Sequence, residues 1–170
     1  ISKECNPFFR ITPGKGELCT FAVKRGSIHN RFDVKNALFN RYIADTKIAT
    51  ESLGSLCSEE PCYGTSATAI VRNDESQPKY IRITDFDDFG IDTDHEYMTA
   101  ESYSEKHFLK SGDILFARTG ATVGKTYYYD GSIGMAVFAG YCIRFRFDTK
   151  KVLPKFVYWC TKTSSTKVFK

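Results

Sequence analysis

The chain has 170 residues, 42% of them apolar and 26% charged, with a formal net charge of +4. That is an ordinary soluble composition, long enough for one domain with a sizeable core. No run approaches the ~18 apolar residues of a membrane helix, and the opening "ISKECNPFFRITPGKG" lacks the apolar core and cleavage site of a signal peptide. With no membrane association expected, the location is read as cytoplasmic. The aromatic share of 15%, with 14 Phe and 10 Tyr, favours strands and points to a mixed, strand-rich α+β fold.

In chain order, residues 1–29 read as an irregular lead-in rich in Pro and Gly, with one short strand in "LCTFAVK" (18–24). The absence of an initiator Met suggests a piece of a longer protein. In "NRFDVKNALFNRYI", Val34, Leu38, Phe39, Tyr42 and Ile43 recur at helical spacing, with Asn30 or Asp33 as caps. Residues 51–67 read as loop. "TAIVR" and "KYIRIT" read as strands flanking the polar turn "NDESQP". The acidic stretch that follows reads as a surface insertion. Ser102 and Glu105 have capping-box spacing, so a helix is expected to run to about His107, with Gly112 as a stop signal. "DILFAR" and "TYYYD" read as strands, with "DGS" as a turn. In "YCIRFRF", Tyr141, Ile143, Phe145 and Phe147 point one way and Cys142, Arg144 and Arg146 the other. Pro154 opens a final helix whose apolar Phe156, Val157, Trp159 and Cys160 fall at helical spacing.

Cysteine and histidine carry little functional signal. The six cysteines, at 5, 19, 57, 62, 142 and 160, have irregular spacings without a C-x-x-C pair, and the three histidines are scattered. Reduced thiols serving as small core residues are expected, and no zinc site. Asp85, Asp87 and Asp88 lack the glycine and closing glutamate of a calcium loop. No G-x-S-x-G elbow, H-E-x-x-H or methyltransferase motif occurs, so no catalytic residue and no metal site is assigned.

Charge is unevenly spread. From Thr84 to Glu105 there are eight acids and no Lys or Arg; from Arg144 to Lys170 there are eight basic residues and one acid. These are either two solvated faces of opposite sign or a basic face that meets a polyanion.

"RTGATVGKT" (118–126) ends like a nucleotide-binding P-loop, but three residues rather than four separate Gly120 from Gly124, and the aromatic "TYYYDGS" follows where a helix should begin. A tight strand–loop–strand connection is expected. Its small, polar, basic residues suit close approach to a sugar–phosphate backbone. Arg118 has the fork for a bidentate contact to guanine, and Lys125 suits a phosphate.

"LKSGDILFARTGATVGKTYYYDG" resembles the central motif of target recognition domains in type I restriction–modification specificity subunits, through Gly112, Asp113, Ile114, Leu115, Arg118, Gly120, Gly124 and Lys125. "RFDVKNALF" looks like the opening of such domains. "LGSLCSEEPCYGTSA" and "KYIRITDFDDFGI" look like their first loop and a strand ending in Arg-x-x-Asp. "LPKFVYWCTKTS" matches the helix that exits towards a coiled-coil spacer. The resemblance implies a domain over residues 30–170, with 154–170 as exit helix, reading one half of a bipartite double-stranded DNA site in a bacterial host-defence system. It implies DNA contacts from Tyr63, Thr65, Ser66, Arg82, Arg118, Thr119, Gly120, Thr122, Gly124, Lys125, Arg144 and Arg146. It implies no catalysis and no cofactor in this chain. S-adenosylmethionine and ATP would sit on a methyltransferase subunit and a restriction motor–nuclease subunit, its partners. Two alternatives stay open: the recognition domain of a fused type II enzyme, and a protein- or glycan-binding sheet domain.

Overall fold

A four-stranded antiparallel sheet organises the described part of the chain, its strands lying in the order Cys62–Tyr63, Cys142–Phe145, Ile114–Ala117, Thr126–Tyr128. The computed structural model describes residues 51–86 and 96–162, and the described chain from Ser52 onward belongs to one folded unit. The lead-in, the strand at 18–24, the helix over 30–43 and residues 87–95 of the acidic stretch lie outside the described residues. The strands are β1 (Cys62–Tyr63), β8 (Cys142–Phe145), β5 (Ile114–Ala117) and β6 (Thr126–Tyr128). β5 lies in the interior of the sheet because "ILFA" offers apolar groups to both sides; Ile114 and Leu115 are fully buried.

Register sorts the side chains into two faces. Tyr63 pairs with Ile143, Ile143 with Phe116, and Phe116 with Thr126, so these four share one face. The next row, Cys62, Arg144, Leu115 and Tyr127, lies on the other. That second face packs into the main core with Ile81, Phe86, Leu109, Ala136 and Phe138.

The core partner of that face is a parallel pair, β3 (Lys79–Ile81) with β7 (Ala136–Phe138). The sequence reading has no strand at 136–138. All three residues are fully buried, and a short run that is apolar throughout carries no alternation to mark it. The strands flanking "NDESQP" exist but are brief, and they pair with different partners. β2 (Ala69–Ile70) runs antiparallel to β4 (Thr99–Ala100), whereas β3 pairs with β7. The acidic stretch is not wholly a surface insertion, because Asp85, Phe86, Thr99 and Ala100 within it are buried.

Two helical expectations need correction. The turn near His107 is a 3-10 turn, Glu105–His107, capped by Ser104 rather than Ser102; the Ser104 backbone N–H donates to His107 Nδ1 at 3.1 Å. The final helix, α1 (Pro154–Lys162), turns Val157 and Tyr158 inward. They meet Ile114 and Phe147 on the first face of the sheet, with Tyr128 and Phe145 beside them. Phe156 and Trp159, expected on the apolar side, are 63% and 54% exposed. α1 covers only part of that face, and Tyr63 lies on it exposed.

Candidate nucleic-acid interface

The loop at 118–126 is a strand–turn–strand connection. After β5 the chain makes a 3-10 turn, Gly120–Thr122, and enters β6 directly. Gly120 and Gly124 have φ of +73° and +82°, a region that β-carbon-bearing residues rarely enter. The amides of Gly124 and Lys125 donate inward, to the Ala117 and Thr122 carbonyls at 2.9 Å each. With no helix following and these amides committed, the loop lacks the phosphate cradle of a P-loop.

Arg118 leaves this turn exposed. It lies two residues beyond Phe116, so it shares the face of Tyr63. Its Cζ sits 4.6 Å from the centroid of the Tyr63 ring, and its Nε donates to the Gly140 carbonyl at 3.1 Å. Tyr63 is 57% exposed. Ser66 and Thr119 are exposed close by in the chain, and Lys125 is half-buried. Neither Arg118 nor Lys125 has a carboxylate partner among the described residues.

Four other expected contact residues are committed internally. Thr65 is buried, and its hydroxyl donates to the Ser102 carbonyl at 2.9 Å. The Asp85 carboxylate accepts from the Arg82 backbone N–H at 2.8 Å, from Nε at 3.1 Å and from Nη2 at 2.9 Å. That bonding holds the Arg82 guanidinium above its usual pKa and accounts for the Arg-x-x-Asp spacing. Arg144 and Arg146 lie on the core face of the sheet, opposite to the solvent-facing side expected for them. Arg144 is 4% exposed; it donates to the Lys106 and Phe108 carbonyls and to Glu59. Arg146 grips the fully buried Asp113 through Nε at 2.8 Å and Nη2 at 2.7 Å, and reaches Glu59 with Nη1 at 2.7 Å. The Asp113 bonds raise the Arg146 pKa. Strand alternation fixes that the two arginines share a side but not which side is solvent. Of the remaining positions, Gly120 and Gly124 shape the turn, and Thr122 Oγ1 is buried without a hydrogen-bond partner.

Sequence reasoning gave no role to Glu59, Asp113 or Gly64. A Cβ on Gly64 would lie 2.1 Å from the Phe138 carbonyl oxygen. The Gly64–Thr65 backbone therefore lies directly against the end of β7, and the Gly140 N–H donates to the Thr65 carbonyl at 2.7 Å. Thus Tyr63, Gly140 and Arg118 converge at one end of the sheet. Asp113 carried a signal, as the acid of the Gly-Asp-Ile-Leu run. Glu59 carried none, since it lies 85 residues from Arg144 in sequence.

The fold is similar to a chain of a type I restriction–modification system. The solved structure in question is described as the structural basis underlying complex assembly and conformational transition of the type I R-M system; 78% of this chain aligns with 34% of that one, at 15% identity and a TM-score of 0.53. This sequence therefore spans about a third of the length of that chain. No protein-family profile and no curated protein matches the sequence. Among the described residues there is no group of three or more His, Cys, Asp or Glu that could hold a metal ion, and no helix long and apolar enough to cross a membrane.

Proposed function

We propose that this chain is a target recognition domain that reads double-stranded DNA for a type I restriction–modification complex. One observation carries the reading. Arg82, Arg144 and Arg146 are each paired with a carboxylate, whereas Arg118 and Lys125, on one glycine-shaped turn, are not. An arginine and a lysine without carboxylate partners on one turn, the arginine over an exposed tyrosine, fit a polyanion with readable base edges. The fold likeness to a chain of such a complex supports the same reading.

On this reading the chain performs no chemistry. It binds DNA and sets where a partner methyltransferase subunit, carrying S-adenosylmethionine, and an ATP-driven restriction subunit act. Leu153, just before α1, and Phe156 and Trp159 on it are exposed apolar side chains, suited to packing against further chain in the assembly. The contact set is Tyr63, Ser66, Arg118, Thr119 and Lys125, with Gly120 and Gly124 allowing the approach; Thr65, Arg82, Arg144 and Arg146 brace it from inside.

The test is binding to duplex DNA over a salt series by the full-length protein in its complex. Affinity that falls steeply with salt, with one sequence preferred, supports the reading. Binding that is absent, or insensitive to salt, overturns it and favours a protein- or glycan-binding surface. Methyl transfer by the isolated protein would overturn the assignment as a non-enzyme.

A further inference from the structure

The pairing of Arg118 with Tyr63 goes further than a basic contact. A free arginine on a loop samples many rotamers, and ordering it on binding costs entropy. Here the residue is held at three points, two of them on the side chain. The Arg118 backbone N–H donates to the Tyr141 carbonyl at 3.0 Å, its Nε donates to the Gly140 carbonyl at 3.1 Å, and the Tyr63 ring lies 4.6 Å from Cζ. Tyr63 is itself fixed by its ladder position opposite Ile143. The adjoining Gly64 lies so close to the Phe138 carbonyl that this backbone has no room to shift inward.

With Nε committed, the fork that remains is Nη1 and Nη2, neither of which has a partner among the described residues. That is a planar pair of donors in a fixed orientation. Guanine presents two adjacent acceptors, O6 and N7, in the major groove; adenine sets a donor beside its N7, and thymine and cytosine have no such acceptor pair. A phosphate also accepts a bidentate pair from such a fork, but that contact carries no base preference, so selection at a single base pair separates the two.

We propose that Arg118 reads one guanine of the target, and that Tyr63 is its positioning residue, holding the guanidinium in the orientation that makes the contact bidentate. This rests on the reading of the chain as a DNA recognition domain.

The experiment is selection from a pool of duplex DNA with randomised positions, using the full-length protein in its complex, followed by affinity measurements on the selected duplex and on single-base variants. The wild type is expected to select a defined sequence. Arg118→Ala and Arg118→Lys are expected to lose the preference for guanine at one position, a change on the order of 10–100-fold, with preference elsewhere retained. Lysine keeps the charge but not the fork, so Arg118→Lys should lose less overall affinity than Arg118→Ala while losing the guanine preference equally. Tyr63→Phe, which keeps the ring, should retain the guanine preference. Tyr63→Leu should narrow it severalfold at that one position, with preference at the other positions retained. If the wild type selects no sequence, the recognition reading fails and this inference with it. A sequence selected equally by wild type and Arg118→Lys would overturn the inference alone. Intact guanine preference in Tyr63→Leu would remove the positioning role.

Discussion

Arg146 and Asp113 face each other one residue beyond the paired ends of β8 and β5, with both carboxylate oxygens engaged by the guanidinium at 2.8 and 2.7 Å. The carboxylate is fully buried and also accepts the Lys110 backbone N–H at 2.8 Å, which closes the turn into β5. Removing the arginine strands a buried carboxylate, whereas removing the carboxylate leaves Arg146 its Glu59 partner. Arg146→Met should therefore destabilise the domain by about 3–5 kcal/mol, and adding Asp113→Ala should recover part of that loss. Urea denaturation of the single and double variants measures both; additive losses would show that the two groups act independently.

Gly64 tests a different kind of constraint. A methyl group there would overlap the Phe138 and Ala139 carbonyl oxygens, 2.1 and 2.5 Å away. These are backbone atoms within the core, so they cannot swing aside as a side-chain end would. Gly64→Ala should cost about 1–3 kcal/mol through forced displacement. On the proposed reading it should also weaken DNA binding, because Tyr63 is the adjoining residue. A melting temperature equal to wild type would show that the contact relaxes freely.

His107 links stability to pH. Burial lowers its pKa first, and the nearby Lys106 and Arg144 charges lower it further. Its Nδ1 accepts the Ser104 N–H, which requires an unprotonated nitrogen. The unfolded chain has the higher pKa, about 6.5, so it binds the proton first as pH falls. The contribution of this histidine is therefore complete above about pH 6.5 and is lost as pH drops through the depressed folded value. His107→Gln should flatten the fall in stability between pH 7 and 5, measured by denaturant titration at several pH values. An unchanged slope would assign the acid sensitivity to other groups.

Salt dependence separates the basic residues. Lys125→Ala should weaken binding to all duplexes alike and reduce the salt slope by about one unit, as loss of one phosphate contact does. Arg144→Ala should leave that slope unchanged and lower the melting temperature, because its guanidinium serves Glu59 and two backbone carbonyls. Isothermal binding at four salt concentrations, with melting curves for each variant, gives both readings. A reduced slope in Arg144→Ala would return that residue to the interface.

Local chemistry was legible in the sequence wherever neighbours in the chain decide the outcome. The strand at 114–117, the glycine turn at 120–124, the alternation at 142–145 and the helix opened by Pro154 all follow from spacing, turn chemistry and backbone freedom over a few residues. The exclusion of a P-loop was legible for the same reason, since strand-forming aromatics follow Lys125. Sidedness and partnership were decided only by tertiary structure. Alternation placed Arg144 and Arg146 together, but their side became the inner one because Asp113 and Glu59, distant in sequence, offered carboxylates there. The same holds for α1, where Val157 and Tyr158, not Phe156 and Trp159, found the sheet. β7 was invisible because a strand buried by parallel pairing has no polar face to betray its period. Arg118 and Tyr63 lie 55 positions apart, and only the register of β1, β8 and β5 brings them onto one face. Side-chain pairs fixed by long-range strand register have no signature in a single sequence, because either partner alone would satisfy its local pattern.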